Sequence, residues 1–216
     1  MAARRTSLPT VDALDDALLR EIAARGGVRH YAAGAVLVTE DDRSDALYIV
    51  LAGRVKIYGA GDDGREVVYG TMSTGEYFGE MTLDGGPRSA SVATLEPTSC
   101  AVVPGADVRD FLAHHPDFAL HLVMKLIRRT RGLTEQVKSL ALDDVYGRLA
   151  KLLRTLARDE DGVPTLPERL TQQDIAERIG ASREMVSRVM KPLAEGGWTG
   201  LKDGRITLLK KLPARW

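Results

Sequence analysis

The chain has 216 residues, 44% of them apolar and 28% charged, and no net charge. That length suits one or two domains, and charges of both signs mixed with enough apolar side chains for a core exclude a disordered polyelectrolyte. The longest apolar runs fall well short of the ~20 residues that cross a bilayer, and the opening MAARRTSLPT carries two arginines with no apolar stretch behind them, so neither a membrane partner nor a signal peptide is read and a cytoplasmic location is expected.

The first predicted element is a short amphipathic helix in VDALDDALLREIAARG. From about Val28 to Val103 the pattern becomes short β-rich runs: AVLV, ALYIVLAG, RVKIYG, EVVYGTM and TSCAVV. Glycine-bearing turns such as GAGDDG, STGE and DGGP separate them, with Gly34, Gly53, Gly64 and Gly75 where strands reverse. Short strands at such spacing predict an antiparallel sandwich or barrel. The single cysteine, Cys100, lies in the run CAVV and reads as a small core residue. One thiol makes no internal disulfide and holds no iron–sulfur cluster alone.

Residues 116–142 read as one long helix, ~40 Å at 1.5 Å per residue. Val123, Leu126, Thr130, Leu133, Val137 and Leu140 recur at alternating spacings of three and four. That is the seam of a two-stranded coiled coil; the other reading is a helix packed on its own domain. Asp143 and Asp144 then interrupt the run, Asp144 as N-cap of the following VYGRLAKLLRTLA. This is the expected hinge. RDEDGVPTLPE, polar with two prolines, reads as a loop.

The segment LTQQDIAERIGASREMVSRVMKPLAEGGW carries the sharpest pattern. Thr171 caps one helix with Ile175, Ala176 and Ile179 inward. Gly180 turns the chain, and Ser182 caps a second helix with Val186 and Val189 inward. Helix, glycine turn, helix is the helix-turn-helix, whose second helix lies in the major groove. Arg183, Glu184, Ser187 and Arg188 remain for the outer face; arginine pairs bidentately with guanine and glutamate accepts from cytosine. A solvated charged face is the bland alternative. GWTGLKDGRITLLKK then reads as a two-stranded wing around Asp203–Gly204, with Lys202 and Arg205 near its tip. The charge divides accordingly. Residues 1–142 hold 16 Lys+Arg against 19 Asp+Glu, and residues 143–216 hold 14 against 11, a sign that suits a C-terminal half meeting phosphates.

This order of elements resembles the CRP/FNR family of bacterial regulators over nearly the whole chain. Ser182, Arg183, Glu184 and Arg188 match that family's Ser-Arg-Glu-x-x-x-Arg recognition pattern, which implies TGTGA-like half-sites in a palindrome. Gln173 and Ser182 match its phosphate-contacting positions, and Thr171 and Lys202 join them as expected DNA contacts. A second motif, Phe78-Gly79-Glu80, then MTLDGGP, then Arg88-Ser89-Ala90, resembles the family's phosphate-binding cassette. Glu80 would accept from a ribose 2′-hydroxyl, Arg88 would donate to a cyclic phosphate, Ser89 would add a donor, and Gly79 allows close backbone approach. In cyclic-AMP receptors the dimer helix presents Thr-Ser to the adenine; here those positions are Leu133 and Thr134, so the base contact is halved. Cyclic AMP is the expected effector, with cyclic GMP and cyclic di-GMP open, as is a β-roll that binds nothing.

The resemblance implies an α+β fold in three parts: a cyclic-nucleotide-binding, jelly-roll-like β-roll over 1–115, a dimerisation helix over 116–142, and a winged helix-turn-helix over 143–216. It implies a homodimer bound to double-stranded DNA, with RNA polymerase a further partner, and no resident cofactor beyond the effector. The N-terminal cysteine cluster of iron–sulfur relatives is absent. His30, His114, His115 and His121 do not fall in the β-roll interior by pattern, so no metal is expected. Glu80 and Arg88 read better as ligand anchors than as catalytic groups, so no enzyme is expected.

Overall fold

The computed structural model describes residues 16–213. The N-terminal decapeptide and the part of the expected first helix before Asp16 lie outside them. The described residues form two compact units, one running to Gly61 and including Val68–Leu126, the other comprising Asp62–Val67 and the chain from Ile127 onward.

The first unit is built on two four-stranded antiparallel sheets. One has the order β1 (Gly27–Tyr31), β8 (Thr98–Pro104), β3 (Ala46–Ala52), β6 (Tyr77–Phe78). The other runs β2 (Val36–Val38), β7 (Ser91–Thr94), β4 (Arg54–Ala60), β5 (Glu66–Ser73). Strand β3 is apolar at every position because both its faces are covered. Its side chains alternate between the two faces. Tyr48 and Val50 enter a core with Val55, Ile57, Phe78, Val92 and Cys100. Leu47, Ile49 and Leu51 face the other way, onto α1 (Ala17–Ala23), α2 (Gly105–His114) and the start of α3 (Pro116–Leu142) through Ile22, Phe111 and Phe118. Burial pushes the Cys100 thiol up to about 12, as befits a core residue. Asp16 caps α1, accepting from the Leu18 and Leu19 amides at 2.8 and 3.0 Å.

The second unit packs α4 (Val145–Leu156), α5 (Gln172–Ile179) and α6 (Arg183–Glu195) around Leu149, Leu153, Leu166, Ile175, Val186 and Leu193. A third sheet, of order β11 (Thr199–Lys202), β12 (Arg205–Leu208), β10 (Val163–Thr165), β9 (Arg158–Glu160), completes it. Here RDEDGVPTLPE departs from the expected loop. It folds as the β9–β10 hairpin with Val163 opposite Glu160. Asp161 and Gly162 take φ of 57° and 80°, the left-handed pair that a tight hairpin turn needs and Asp-Gly supplies. Asp203 and Gly204 repeat the device at the wing, with φ of 53° and 76°.

Candidate functional site

The cassette motif leaves β6 and enters a 3-10 turn, Glu80–Asp84. Gly79 sits between them at φ 93°, and a Cβ there would lie 2.6 Å from both the Ala46 carbonyl and Arg88 Nη1. Only glycine fits this left-handed, crowded position. Glu80 and Arg88 are both buried, at 4% and 3% exposure. A buried guanidinium must find partners for its five donors. Arg88 Nε donates to Ser44 Oγ at 2.9 Å, Nη1 to the Gly79 carbonyl at 3.2 Å and Nη2 to the Ala46 carbonyl at 2.9 Å. Its backbone also bonds the β2–β3 loop, to Asp42 and from Asp41, at 2.9 Å each. Burial pulls the guanidinium below its ordinary arginine value, opposed by Tyr48, Asp45, Glu80 and Asp42.

Gly79, Glu80 and Arg88 are thus held together in one unit. Ser89 differs: it is exposed, and its hydroxyl donates to Met81 Sδ at 3.1 Å. Leu133 and Thr134 belong to the other unit. Both are exposed on α3, and the Thr134 hydroxyl donates to the Thr130 carbonyl at 3.0 Å. Ser44 belongs to no motif, so the sequence alone does not point to it. The same loop also lines a polar cavity of about 500 Å³, with Arg43, Asp45, Thr82, Gly85 and Arg109.

The helix-turn-helix is capped at each helix start. Thr171 Oγ1 accepts from the Asp174 amide at 3.1 Å, and the Asp174 carboxylate accepts back from the Thr171 amide at 2.7 Å and hydroxyl at 2.6 Å. Gly180 closes α5 at φ 61°, and Ser182 Oγ accepts from the Met185 amide at 3.3 Å. On α6, Arg183, Glu184 and Arg188 are exposed, Ser187 is half-buried and Val186 is fully buried. The Glu184 carboxyl is held below the ordinary range by hydrogen bonds from its own amide and from Ser182, so it stands ionised as an acceptor. Gln173 is exposed and donates to Glu177 at 2.8 Å.

Two arginines with no sequence motif fix this element. Arg148 on α4 donates to the carbonyls of Asp143 and Ile179 at 2.8 Å each, and of Gly180 at 3.5 Å. It joins the interruption after α3 to the turn between α5 and α6. The Asp144 carboxylate caps α4 by accepting from the Gly147 amide at 2.7 Å. Arg169 Nε donates to the Asp203 carbonyl at 2.9 Å, tying the wing turn to the chain entering α5. At the wing, Lys202 stays half-exposed with Asp161 3.9 Å away. Arg205 stands near the wing tip, opposite Lys202 across the turn, and forks onto Glu160 at 2.5 and 2.8 Å. Each partner favours the other's charged form, the Glu160 carboxyl falling and the Arg205 guanidinium rising from their ordinary values.

On α3, Val123, Leu133, Val137 and Leu140 are exposed at 49%, 44%, 65% and 53%. Leu126 instead packs on the core of the first unit, so the predicted seam is not uniform. Among the described residues no group of three or more His, Cys, Asp and Glu is arranged to hold a metal ion, and no helix is long and apolar enough to cross a membrane.

Comparison with known proteins matches both parts of the chain to known families. Residues 28–115 match the family "Cyclic nucleotide-binding domain", and residues 147–212 match "Crp-like helix-turn-helix domain". A CRP-like cAMP-activated global transcriptional regulator of Mycobacterium tuberculosis is 34% identical over 181 residues, covering 82% of this chain and 80% of that protein. The cAMP-activated global transcriptional regulator Vfr of Pseudomonas aeruginosa is 32% identical over 183 residues, covering 81% and 85%. Among solved structures, the c-di-GMP responsive global regulator CLP of Xanthomonas campestris superposes with a TM-score of 0.79 at 25% identity, over 89% of this chain and 98% of that one.

Proposed function

The chain belongs to the CRP/FNR family of cyclic-nucleotide-regulated transcription regulators, and from that premise we propose that it is a homodimer that reads palindromic DNA when cyclic AMP fills its β-roll. It is a regulator and not an enzyme. The observation that carries the proposal is the burial of both Glu80 and Arg88, with Arg88 bonded to the Gly79 carbonyl, in the same chain as a helix-turn-helix whose second helix keeps Arg183, Glu184 and Arg188 exposed. In this reading Glu80 takes the ribose hydroxyl and the two Arg88 N–H groups not bonded to Ser44, Gly79 or Ala46 take the cyclic phosphate. Ser89 turns from Met81 to add a donor. The work is done in the cytoplasm, on double-stranded DNA, with RNA polymerase as the downstream partner. The parts are a β-roll to residue 115, a dimer helix over 116–142 and a winged helix-turn-helix from 143.

Cyclic AMP is favoured by the activated relatives in M. tuberculosis and P. aeruginosa. Cyclic di-GMP is the second reading, favoured by Leu133, which cannot bond the adenine amino group, and by the responsiveness stated for the X. campestris neighbour. A thermal-shift panel of cyclic AMP, cyclic GMP and cyclic di-GMP separates them. The true effector at 100 times its dissociation constant stabilises the fold by ~2.7 kcal/mol. If adenine sits against α3, Leu133→Thr tightens cyclic AMP binding. No change in affinity would place the base elsewhere. No shift with any of the three would leave a constitutive DNA-binding dimer, its Arg88 permanently committed to the protein.

The homodimer reading rests on the exposed apolar positions of α3. Val123→Glu with Val137→Glu is expected to give monomers by light scattering. Both positions are exposed in the single chain, so the pair leaves the protomer core alone, whereas a change at Leu126 would disturb it. A dimer that survives both changes would remove the α3 seam.

A further inference from the structure

Arg205 opens β12 directly after the wing turn and stands opposite Lys202 in the ladder. Arg169 ties that turn to the chain two residues before Thr171. If α6 enters the major groove, a cation at this turn lies where backbone phosphates would be met. Lys202 and Arg205 are nevertheless in different electrostatic situations. Lys202 is 3.9 Å from an Asp161 side chain that is 97% exposed, and such surface pairs are worth little. Arg205 forks both terminal nitrogens onto the two oxygens of Glu160, and the two side chains are only 22% and 31% exposed. A phosphate reaching Arg205 must displace a carboxylate already in bidentate geometry. Exchanging one anion for another gains little, and no counterion is released for it.

We infer that Glu160 withholds Arg205 from the DNA backbone and so sets the protein's overall, sequence-independent affinity for DNA. The inference rests on the DNA-reading assignment above. Glu160 ends β9 in the neighbouring hairpin, outside the proposed recognition helix α6. Because phosphate contacts carry no sequence information, releasing Arg205 strengthens binding to every duplex by the same factor and leaves the preference for the palindrome unchanged.

The test is the salt dependence of binding by the full chain with cyclic AMP present, read by fluorescence anisotropy on a palindromic and a random duplex. Glu160→Gln is expected to steepen the plot of log affinity against log salt by ~0.9, one further phosphate neutralised, and to tighten both duplexes roughly eightfold at about 0.1 M salt. Arg205→Ala alone should leave the slope unchanged, and Glu160→Gln with Arg205→Ala should restore the original slope. The inference is overturned if Arg205→Ala alone flattens the slope by ~0.9, or if Glu160→Gln flattens it or leaves it unaltered. Should Glu160→Gln loosen the sheet, as thermal unfolding would reveal, Arg205→Ala in the otherwise native chain decides the matter. Arg183→Ala in the same assay guards the underlying assignment. Unaltered palindrome preference there contradicts the DNA-reading face, whereas a wrong slope with normal preference contradicts only the role of Glu160.

Discussion

Arg88→Ala is expected to abolish cyclic-nucleotide binding. The guanidinium is the cassette's cation, and a charge-assisted bond made out of water is among the stronger interactions a site offers. The ~2.7 kcal/mol of thermal stabilisation given by saturating nucleotide should vanish with it. The substitution also takes the Arg88 donor from the hydroxyl of the exposed Ser44, from the Gly79 carbonyl, which keeps the Thr82 hydroxyl at 3.0 Å, and from the carbonyl of the half-buried Ala46, and an acceptor left unsatisfied out of water costs about 1–3 kcal/mol. The variant therefore begins from a less stable β-roll. Glu80→Gln separates the two effects, since it keeps Arg88 in place and removes the carboxylate meant for the ribose. Calorimetry on both variants provides the check. Unchanged affinity in Arg88→Ala would put the nucleotide somewhere other than the cassette.

Arg183→Ala and Arg188→Ala are expected to cost ~1–3 kcal/mol each in binding to the preferred palindrome and to relax preference at one guanine per half-site. The two α6 helices of a dimer meet successive major grooves, so the half-sites lie ~34 Å apart. Both arginines are exposed while Val186, between them, is fully buried. Truncating them thus spares the core. Lys202→Ala offers the contrast: without that cation to meet a phosphate, binding weakens for all sequences alike and the salt slope falls by about one. Binding to a panel of single-base operator variants distinguishes the two outcomes. An Arg183→Ala chain that keeps the guanine preference intact would remove that residue from the reading face.

What is legible in the sequence is what short-range chemistry dictates. The caps at Asp144, Thr171 and Ser182 and the turn at Gly180 follow from side chains bonding backbone within a few residues. Strand β3 follows from an unbroken apolar run. Strands β1 and β7 are not legible because GVRHY and SVAT are short and partly polar, and their partners lie far away in the chain. The β9–β10 hairpin hides behind two prolines, although its Asp161–Gly162 turn has the same dipeptide as the wing. The partners of Arg88 and Arg205 are beyond reach for another reason. Ser44 is 44 residues from Arg88 and Glu160 is 45 from Arg205, and no periodicity links such pairs. The motif singles out Arg88 as the expected cassette arginine; only the fold shows what already occupies its donors.

Nucleotide and DNA binding are expected to be coupled through the two conformers of the dimer. A ligand that binds two conformers equally shifts nothing, so cyclic AMP must favour the conformer whose α6 helices match the palindrome. Fluorescence anisotropy on a labelled palindrome, with and without cyclic AMP, measures that coupling. The predicted result is tighter DNA binding with nucleotide, and tighter nucleotide binding with DNA by the same factor. Equal DNA affinity in both conditions, with nucleotide binding confirmed independently by calorimetry, would contradict it.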